Sequence, residues 1–406
     1  NPIEAKNHWG RGAIQIAFSL FVLLETWLIP IEGYLVDRFG PRWVVLSGGI
    51  LVGAAWALNS VAGSLPVLYF AAALGGIGTG CVYGTCVGNA LKWFPGRRGL
   101  AAGITASGFG AGAALTIVPI KSMIEASGYE QAFMVFGLIQ GGIVFVLAWL
   151  LLAPPPQVAN FVVKPSQTAH GYTPMEVLKS PVFYVMYLMF WLIASGGLTM
   201  AASVAPIADD LKISKIPVSL FGMVMPALAF TLFLNRIFDG VGRPFFGWLS
   251  DQIGREYTMA LAFLLGAAAL FTLSRTGPNP VIFVLVTALY FGVYGEIFSL
   301  FPATQGDTFG SEFAAANNGM LYTAKGAGSL MVPVAALVAR ANGWGAVFTL
   351  AMCFNIAAAL LALFVLKPLR MKHFAKSRAD YPQATAAASA AGPRPEPRKG
   401  VARSTL

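Results

Sequence analysis

Gly33–Arg42 reads GYLVDRFGPR, and the same pattern returns at Gly247–Arg255 as GWLSDQIGR, with Asp37 and Asp251 about 214 positions apart. A second pair repeats at nearly that offset. Gly103–Gly112 (GITASGFGAG) aligns with Gly319–Gly328 (GMLYTAKGAG), which sets Phe109 opposite Lys325. Self-similarity at a fixed offset marks an internal repeat, and paired halves of one plan are common in membrane carriers. The chain is therefore expected to fold as two related halves.

Composition places both halves in a bilayer. Of 406 residues, 57% are hydrophobic and 11% charged, with mean hydropathy +0.69; a soluble domain carries about 25% charged residues. Forty-five glycines and 30 phenylalanines suit close helix packing in lipid. Apolar runs at 12–30, 44–62, 66–90, 100–120, 132–153, 182–206, 217–240, 257–274, 281–303, 314–338 and 345–366 are each near the ~20 residues that cross a membrane. The expectation is an all-α polytopic membrane protein of about eleven spans. The net charge of +10 sits largely in short loops and the tail, which argues for topology rather than nucleic acid. Cys81, Cys86 and Cys353 all fall in apolar runs, so neither a disulfide framework nor a metal site is indicated. No cofactor is implied, and no cleavable signal peptide is visible.

The repeat also bears on the span count. Two spans precede the second-half loop at Asp251, but only one precedes Asp37, as expected of a six-plus-six protein whose first span is missing from this chain. The expected division is an N-terminal bundle at 1–153, a cytoplasmic linker at 154–181, a C-terminal bundle at 182–368 and a disordered basic tail at 369–406. Within the linker, Thr173-Pro174-Met175-Glu176 reads as an N-cap, a Pro at the first helical position and a Glu at the third. Loops with Arg38/Arg42, Lys92/Arg97/Arg98, Lys164/Lys179 and Arg255 alternate with loops poorer in Lys and Arg, so the linker and C-terminus are expected in the cytoplasm of a multi-pass inner (plasma) membrane protein.

The loop GYLVDRFGPR resembles the signature of the major facilitator superfamily, with Pro41 where a basic residue is common. Within it, KWFPGRRGLAAGITASGFGAG (Lys92–Gly112), GRPFFGWLSDQIGR (Gly242–Arg255), LFPATQGDTFG (Leu300–Gly310) and YTAKGAGS (Tyr322–Ser329) are similar to oxalate/formate antiporters, relatives of the monocarboxylate transporters. The resemblance covers the chain from Asn1 to about Pro368. It implies two six-helix bundles, a monomer, and secondary transport of a small carboxylate anion by alternating access.

Charges inside apolar runs then become the candidates for the site. Lys325 lies about eleven residues into its run, where an ammonium costs ~2.5–3.5 kcal/mol or more unless it snorkels or meets an anion. The resemblance implies that Lys325 and Arg243 bind the substrate carboxylate, and a guanidinium fork suits that planar group. Tyr83, Phe109, Tyr294 and Phe298 match positions where the family lines its site with aromatic rings; the family's usual Tyr, Trp and Tyr are replaced here by Phe109, Tyr294 and Phe298. Asp239 lies four residues before Arg243 and one turn after Arg236, giving a cation–anion–cation ladder. Glu296 is a further acid inside an apolar run, poised to balance charge, carry a proton or pair with Lys325. Glu25 and Trp27 are weaker candidates. Asp37, Arg38, Arg42, Arg97, Arg98, Asp251 and Arg255 resemble the family's gating latch.

The leading expectation is oxalate/formate-type exchange, with proton-coupled monocarboxylate symport as the alternative. An enzyme would need a nucleophile with a base, or a metal cluster. His8, His170 and His373, all outside the spans, supply none. A non-transporting receptor of the same fold is the remote reading of another class.

Overall fold

The computed structural model describes residues 2–9, 11–155, 165–220 and 222–382. Lys164 and the tail beyond 382 lie outside them, as does the side chain of Phe109. The first half comprises α1 (Pro2–Asn7), α2 (Arg11–Trp27), α3 (Ile29–Phe39), α4 (Pro41–Ser60), α5 (Leu65–Trp93) and α6 (Arg98–Ala148). After the linker helix α7 (Pro174–Val177) come α8 (Pro181–Asp210), strands β1 (Pro217–Leu220) and β2 (Met223–Pro226), α9 (Ala227–Ile253), α10 (Arg255–Thr276), α11 (Pro280–Tyr294) and α12 (Ile297–Phe309). The rest is α13 (Ala314–Ser329), α14 (Met331–Asn342), α15 (Trp344–Leu360), a π-helical turn at Leu361–Leu366, and α16 (Lys367–Asp380).

Local chemistry sets many of these boundaries. Proline opens the first turn of α3, α4, α5, α8 and α11, where its missing N–H costs nothing. The repeated loops end their helices at Gly40 (φ 86°) and Gly254 (φ 99°), a left-handed conformation that disfavours a side chain. Asn279 caps α11, its side-chain oxygen accepting from the N–H groups of Val281 and Ile282 at 3.1 Å. The linker cap forms as expected: the Thr173 N–H donates to Glu176 at 2.8 Å. That bond holds the Glu176 carboxyl below its ordinary range.

Three findings differ from the expectations. Among the described residues, eight helices are long and apolar enough to cross a membrane, or nine if α2 and α3, bent by 42°, count as one span, against about eleven expected. The shortfall has identifiable sources. α9 carries Arg236, Asp239, Arg243 and Asp251, and in α6 the runs 100–120 and 132–153 form two helical stretches meeting at non-helical Gly128 (φ 87°), of which Pro119–Ala148 is long and apolar enough to cross. Second, the run 217–240 begins as an antiparallel hairpin, Pro217 opposite Pro226, and turns helical only at Ala227. Proline at each end disfavours a continuous helix through it. Third, the tail is helical through Asp380 rather than disordered from 369. Packing holds it there: buried Arg370 donates to the Thr308 hydroxyl at 2.8 Å, and the Ser377 and Thr168 hydroxyls lie 2.8 Å apart.

The two halves of the chain meet at two crossings that obey the repeat. In one, α3 lies against α13, and a Cβ at Gly33 would come within 2.5 Å of the Ala315 backbone. In the other, α9 lies against α6, and a Cβ at Gly247 would come 2.2 Å from the Gly99 carbonyl oxygen. The contact recurs a turn or so away. Gly319 meets the Ile29 backbone as Gly103 meets that of Arg243, with Cβ approaches of 2.7 and 2.4 Å. Glycine lets backbones touch, the main source of helix adhesion in lipid.

Candidate functional site

On α13, Lys325 points back across the molecule to α2. Its Nζ donates to Glu25 Oε1 at 3.1 Å and Oε2 at 3.3 Å, and to the Tyr322 hydroxyl at 3.0 Å. The Lys325 side chain is 13% exposed and that of Glu25 4%. Burial removes water from both charges, so each depends on the other. Gly326, the next residue, lets α13 approach Thr26 and the Trp27 indole.

Arg243 is buried on α9 and spends its donors in two directions. Its Nε reaches Asp239 Oδ1 at 3.2 Å, and Nη2 reaches Oδ1 at 3.0 Å and Oδ2 at 2.8 Å. Nη1 donates to the Ala106 carbonyl on α6 at 2.8 Å, which ties the guanidinium to the other half. The expected ladder is therefore a single pair: Asp239 turns to Arg243, while Arg236 is exposed.

One aromatic ring joins the two cations. Phe298 on α12 has the Arg243 guanidinium 4.5 Å and the Lys325 ammonium 6.0 Å from its centroid. Such contacts stabilise cations by ~0.5–2 kcal/mol. Around it stand Tyr322 (6.1 Å between centroids) and Tyr294 (5.8 Å), and Tyr83 on α5 lies 5.0 Å from Tyr322. Tyr294 packs against Gly197, where a Cβ would come 1.9 Å from its ring. Lys325, Arg243, Tyr83, Tyr294 and Phe298 are thus brought together, while Phe109 lies outside the described side chains.

Two residues give this site a shape that the sequence reading left incomplete. Tyr322 was not singled out, although it sits one helical turn before Lys325. Glu25 was ranked low, yet it holds Lys325. Its position carries a signal: Glu25 and Asp239 differ by the same 214 positions as Asp37 and Asp251. Each half therefore places an acid at one repeat position, and each acid holds a cation. The pairs differ in reach, since Asp239 binds along its own helix and Glu25 binds across the halves.

Two other buried acids, Glu296 and Glu32, hold no cation among the described residues. Glu296 lies at the break between α11 and α12, wholly buried, and neither carboxyl oxygen has a hydrogen-bond partner among the described residues. It does not pair with Lys325. Glu32 on α3 is buried beside the Cys81 thiol.

At the linker face, the repeated aspartates reach helix N-termini in the opposite half. Asp37 accepts from the Ala316 N–H of α13 at 3.1 Å and pairs with Lys92 at 2.6 Å. Asp251 accepts from the Gly99 and Leu100 N–H groups of α6 at 3.1 and 2.9 Å and pairs with Arg255 at 2.7 Å. First-turn N–H groups lack helical partners, and the helix dipole favours an anion there. Arg98 and Arg255 converge on Asp307, each at 2.9 Å. Arg38 and Arg97 are exposed, and Arg42 lies over Trp149. Asp37, Lys92 and Arg98 also line a cavity of about 680 Å³ beside the linker.

This arrangement accords with the comparisons with known proteins. The chain is 33% identical over 370 residues to the oxalate:formate antiporter of Oxalobacter formigenes, covering 90% of this chain and 85% of that protein. It is 25% identical over 252 residues to mouse monocarboxylate transporter 11, covering 61% of this chain and 54% of that one. The fold resembles that of the Escherichia coli fucose:proton symporter FucP, with TM-score 0.62 and 15% identity over 86% of this chain and 90% of FucP. The family model for the Major Facilitator Superfamily matches residues 2–243 and 228–402. The chain belongs to that superfamily of membrane transporters.

Proposed function

We propose that this protein moves small carboxylates by alternating access and holds the anion between Lys325 and Arg243. The observation that carries this reading is that both cations already hold a carboxylate, each supplied by the protein itself. A substrate carboxylate can replace either one with the same bonding, which offsets the desolvation of the cation it meets. Phe298 and the tyrosines around it cover the anion. Asp37, Asp251 and the Arg98–Asp307–Arg255 cluster act as the latch on one face, made and broken as the halves rock about the site. We place the linker and C-terminus in the cytoplasm, and the protein in the inner (plasma) membrane as a monomer.

Likeness to the oxalate:formate antiporter supports exchange of one carboxylate for another as the coupling mode. One observation favours the second mode, proton-linked movement of a monocarboxylate. With Glu25 and Asp239 ionised, the two cations are already neutralised, so an added anion leaves excess negative charge at low dielectric unless a proton comes with it.

The test is uptake of labelled oxalate, formate, lactate and pyruvate into proteoliposomes. Lys325→Ala and Arg243→Ala are expected to lower uptake at least about tenfold, the effect of ~1.4 kcal/mol. Wild-type uptake by both variants would overturn the site.

A further inference from the structure

We infer that Glu25 is the proton-carrying group of the transport cycle: the substrate monocarboxylate displaces it from Lys325, and the released carboxylate takes up one proton. The inference rests on the proposed carboxylate site and adds the group that sets its coupling.

Three observations select Glu25. Its pair with Lys325 is the looser of the two, at 3.1 and 3.3 Å against bonds of 2.8 to 3.2 Å between Asp239 and Arg243. Lys325 is also the more exposed cation, 13% against 7% for the Arg243 side chain. Finally, the Glu25 pair spans 300 residues between halves that must move apart, whereas Asp239 and Arg243 share one helix and travel together. An incoming anion therefore meets Lys325 first and breaks the tie that alternation itself must break.

Charge balance fixes the rest. Before exchange, the Lys325 ammonium is matched by the Glu25 carboxylate, and Arg243 by Asp239. When a substrate R–COO⁻ takes the Lys325 N–H donors, Glu25, which is 4% exposed in its pair, gives up its cation. A buried carboxylate without a partner favours its neutral form. A hydronium ion in the water of the open face breaks one O–H bond and leaves as water, the proton forms an O–H bond on Glu25, and the site returns to zero net charge. One proton and one monocarboxylate then cross together. A dicarboxylate would need a second proton to reach the same balance.

The groups facing Glu25 leave few rivals for that proton. From α13 come Lys325 and Tyr322 and from α3 Glu32, while on α5 Cys81 lies beside Glu32 and Tyr83 beside Tyr322. Arg243 and Asp239 of α9 and Glu296 lie further round the site. Of these, Glu32 is the nearby acid that could substitute, because it is buried and holds no cation among the described residues.

The experiment uses purified protein in liposomes, with labelled formate as probe and a pH-sensitive dye inside. Wild type is expected to accumulate formate when the interior is alkaline and no internal anion is present, with about one proton entering per formate. Glu25→Gln should lose gradient-driven accumulation at least tenfold relative to its own formate-for-formate exchange, and that exchange should no longer vary with pH. Glu32→Gln should keep gradient-driven uptake. Wild-type accumulation by Glu25→Gln, or its loss in Glu32→Gln alone, would overturn the assignment. Should Glu25→Gln fail to fold, the wild-type proton count and Glu25→Asp decide: the aspartate should keep gradient-driven uptake with a displaced pH profile, and a pH profile identical to wild type would count against Glu25. Wild-type exchange without proton entry refutes this inference alone, whereas absence of all carboxylate transport refutes the proposed function beneath it.

Discussion

A guanidinium buried between a bidentate carboxylate and an aromatic face is costly to disturb from either side. Arg243 makes three bonds to Asp239 and stands 4.5 Å from the Phe298 centroid. Asp239→Asn leaves that guanidinium buried without its counter-charge, which typically costs about 3–5 kcal/mol. Thermal unfolding in detergent should show a marked fall in midpoint for Asp239→Asn. The double variant Asp239→Asn/Arg243→Met should recover much of it, because the stranded charge is gone. A double variant as unstable as the sum of the singles would show that the pair is not coupled. Lys325 was legible from sequence as a costly charge in an apolar run, and Arg243 through the resemblance carried by GRPFFG. The partner of Lys325 was not, because a pair 300 residues apart leaves no local spacing to read.

At the scale of elements, the two helix crossings are the repeat made physical. Gly103 faces the Arg243 carbonyl and Gly319 faces the Ile29 backbone, at Cβ approaches of 2.4 and 2.7 Å. Both are tighter than a side chain tolerates, so Gly103→Val and Gly319→Val should each destabilise by roughly 1–3 kcal/mol or more. Gly108→Val serves as the control, since no packing neighbour among the described residues lies within 4 Å of its added Cβ. Equal melting of all three proteins would contradict the crossing geometry. The repeat was visible in the paired glycines and aspartates, and so was the presence of two related halves. The hairpin at 217–226 was hidden because a short apolar run reads alike as strand or helix. The sharp turn between the two helical stretches of α6 was hidden because one glycine, Gly128, does the work expected of a loop.

Across the whole molecule, the proposed latch and the proposed site answer to the same pseudo-symmetry. Asp37 reaches α13, which carries Lys325, and Asp251 reaches α6, whose Ala106 carbonyl holds Arg243. Releasing an aspartate from a helix N-terminus should therefore loosen the linker face. In a background without Cys81, Cys86 and Cys353, a cysteine replacing Asn89 in the linker-side cavity reports that change. Asp37→Asn should raise its modification rate by a hydrophilic maleimide several-fold. An unchanged rate would mean that this bond does not keep the face shut. Sequence marked the latch aspartates through the repeated loops but not their acceptor duty, because unsatisfied N–H groups at a helix start leave no trace in side-chain chemistry.

The central claim is that Lys325 binds the substrate carboxylate. Its most direct test is calorimetric titration of purified wild type and Lys325→Ala with each carboxylate of the panel. The account predicts that at least one carboxylate binds wild type and that Lys325→Ala weakens it at least about tenfold. Equal affinity of the two proteins for that carboxylate would contradict it.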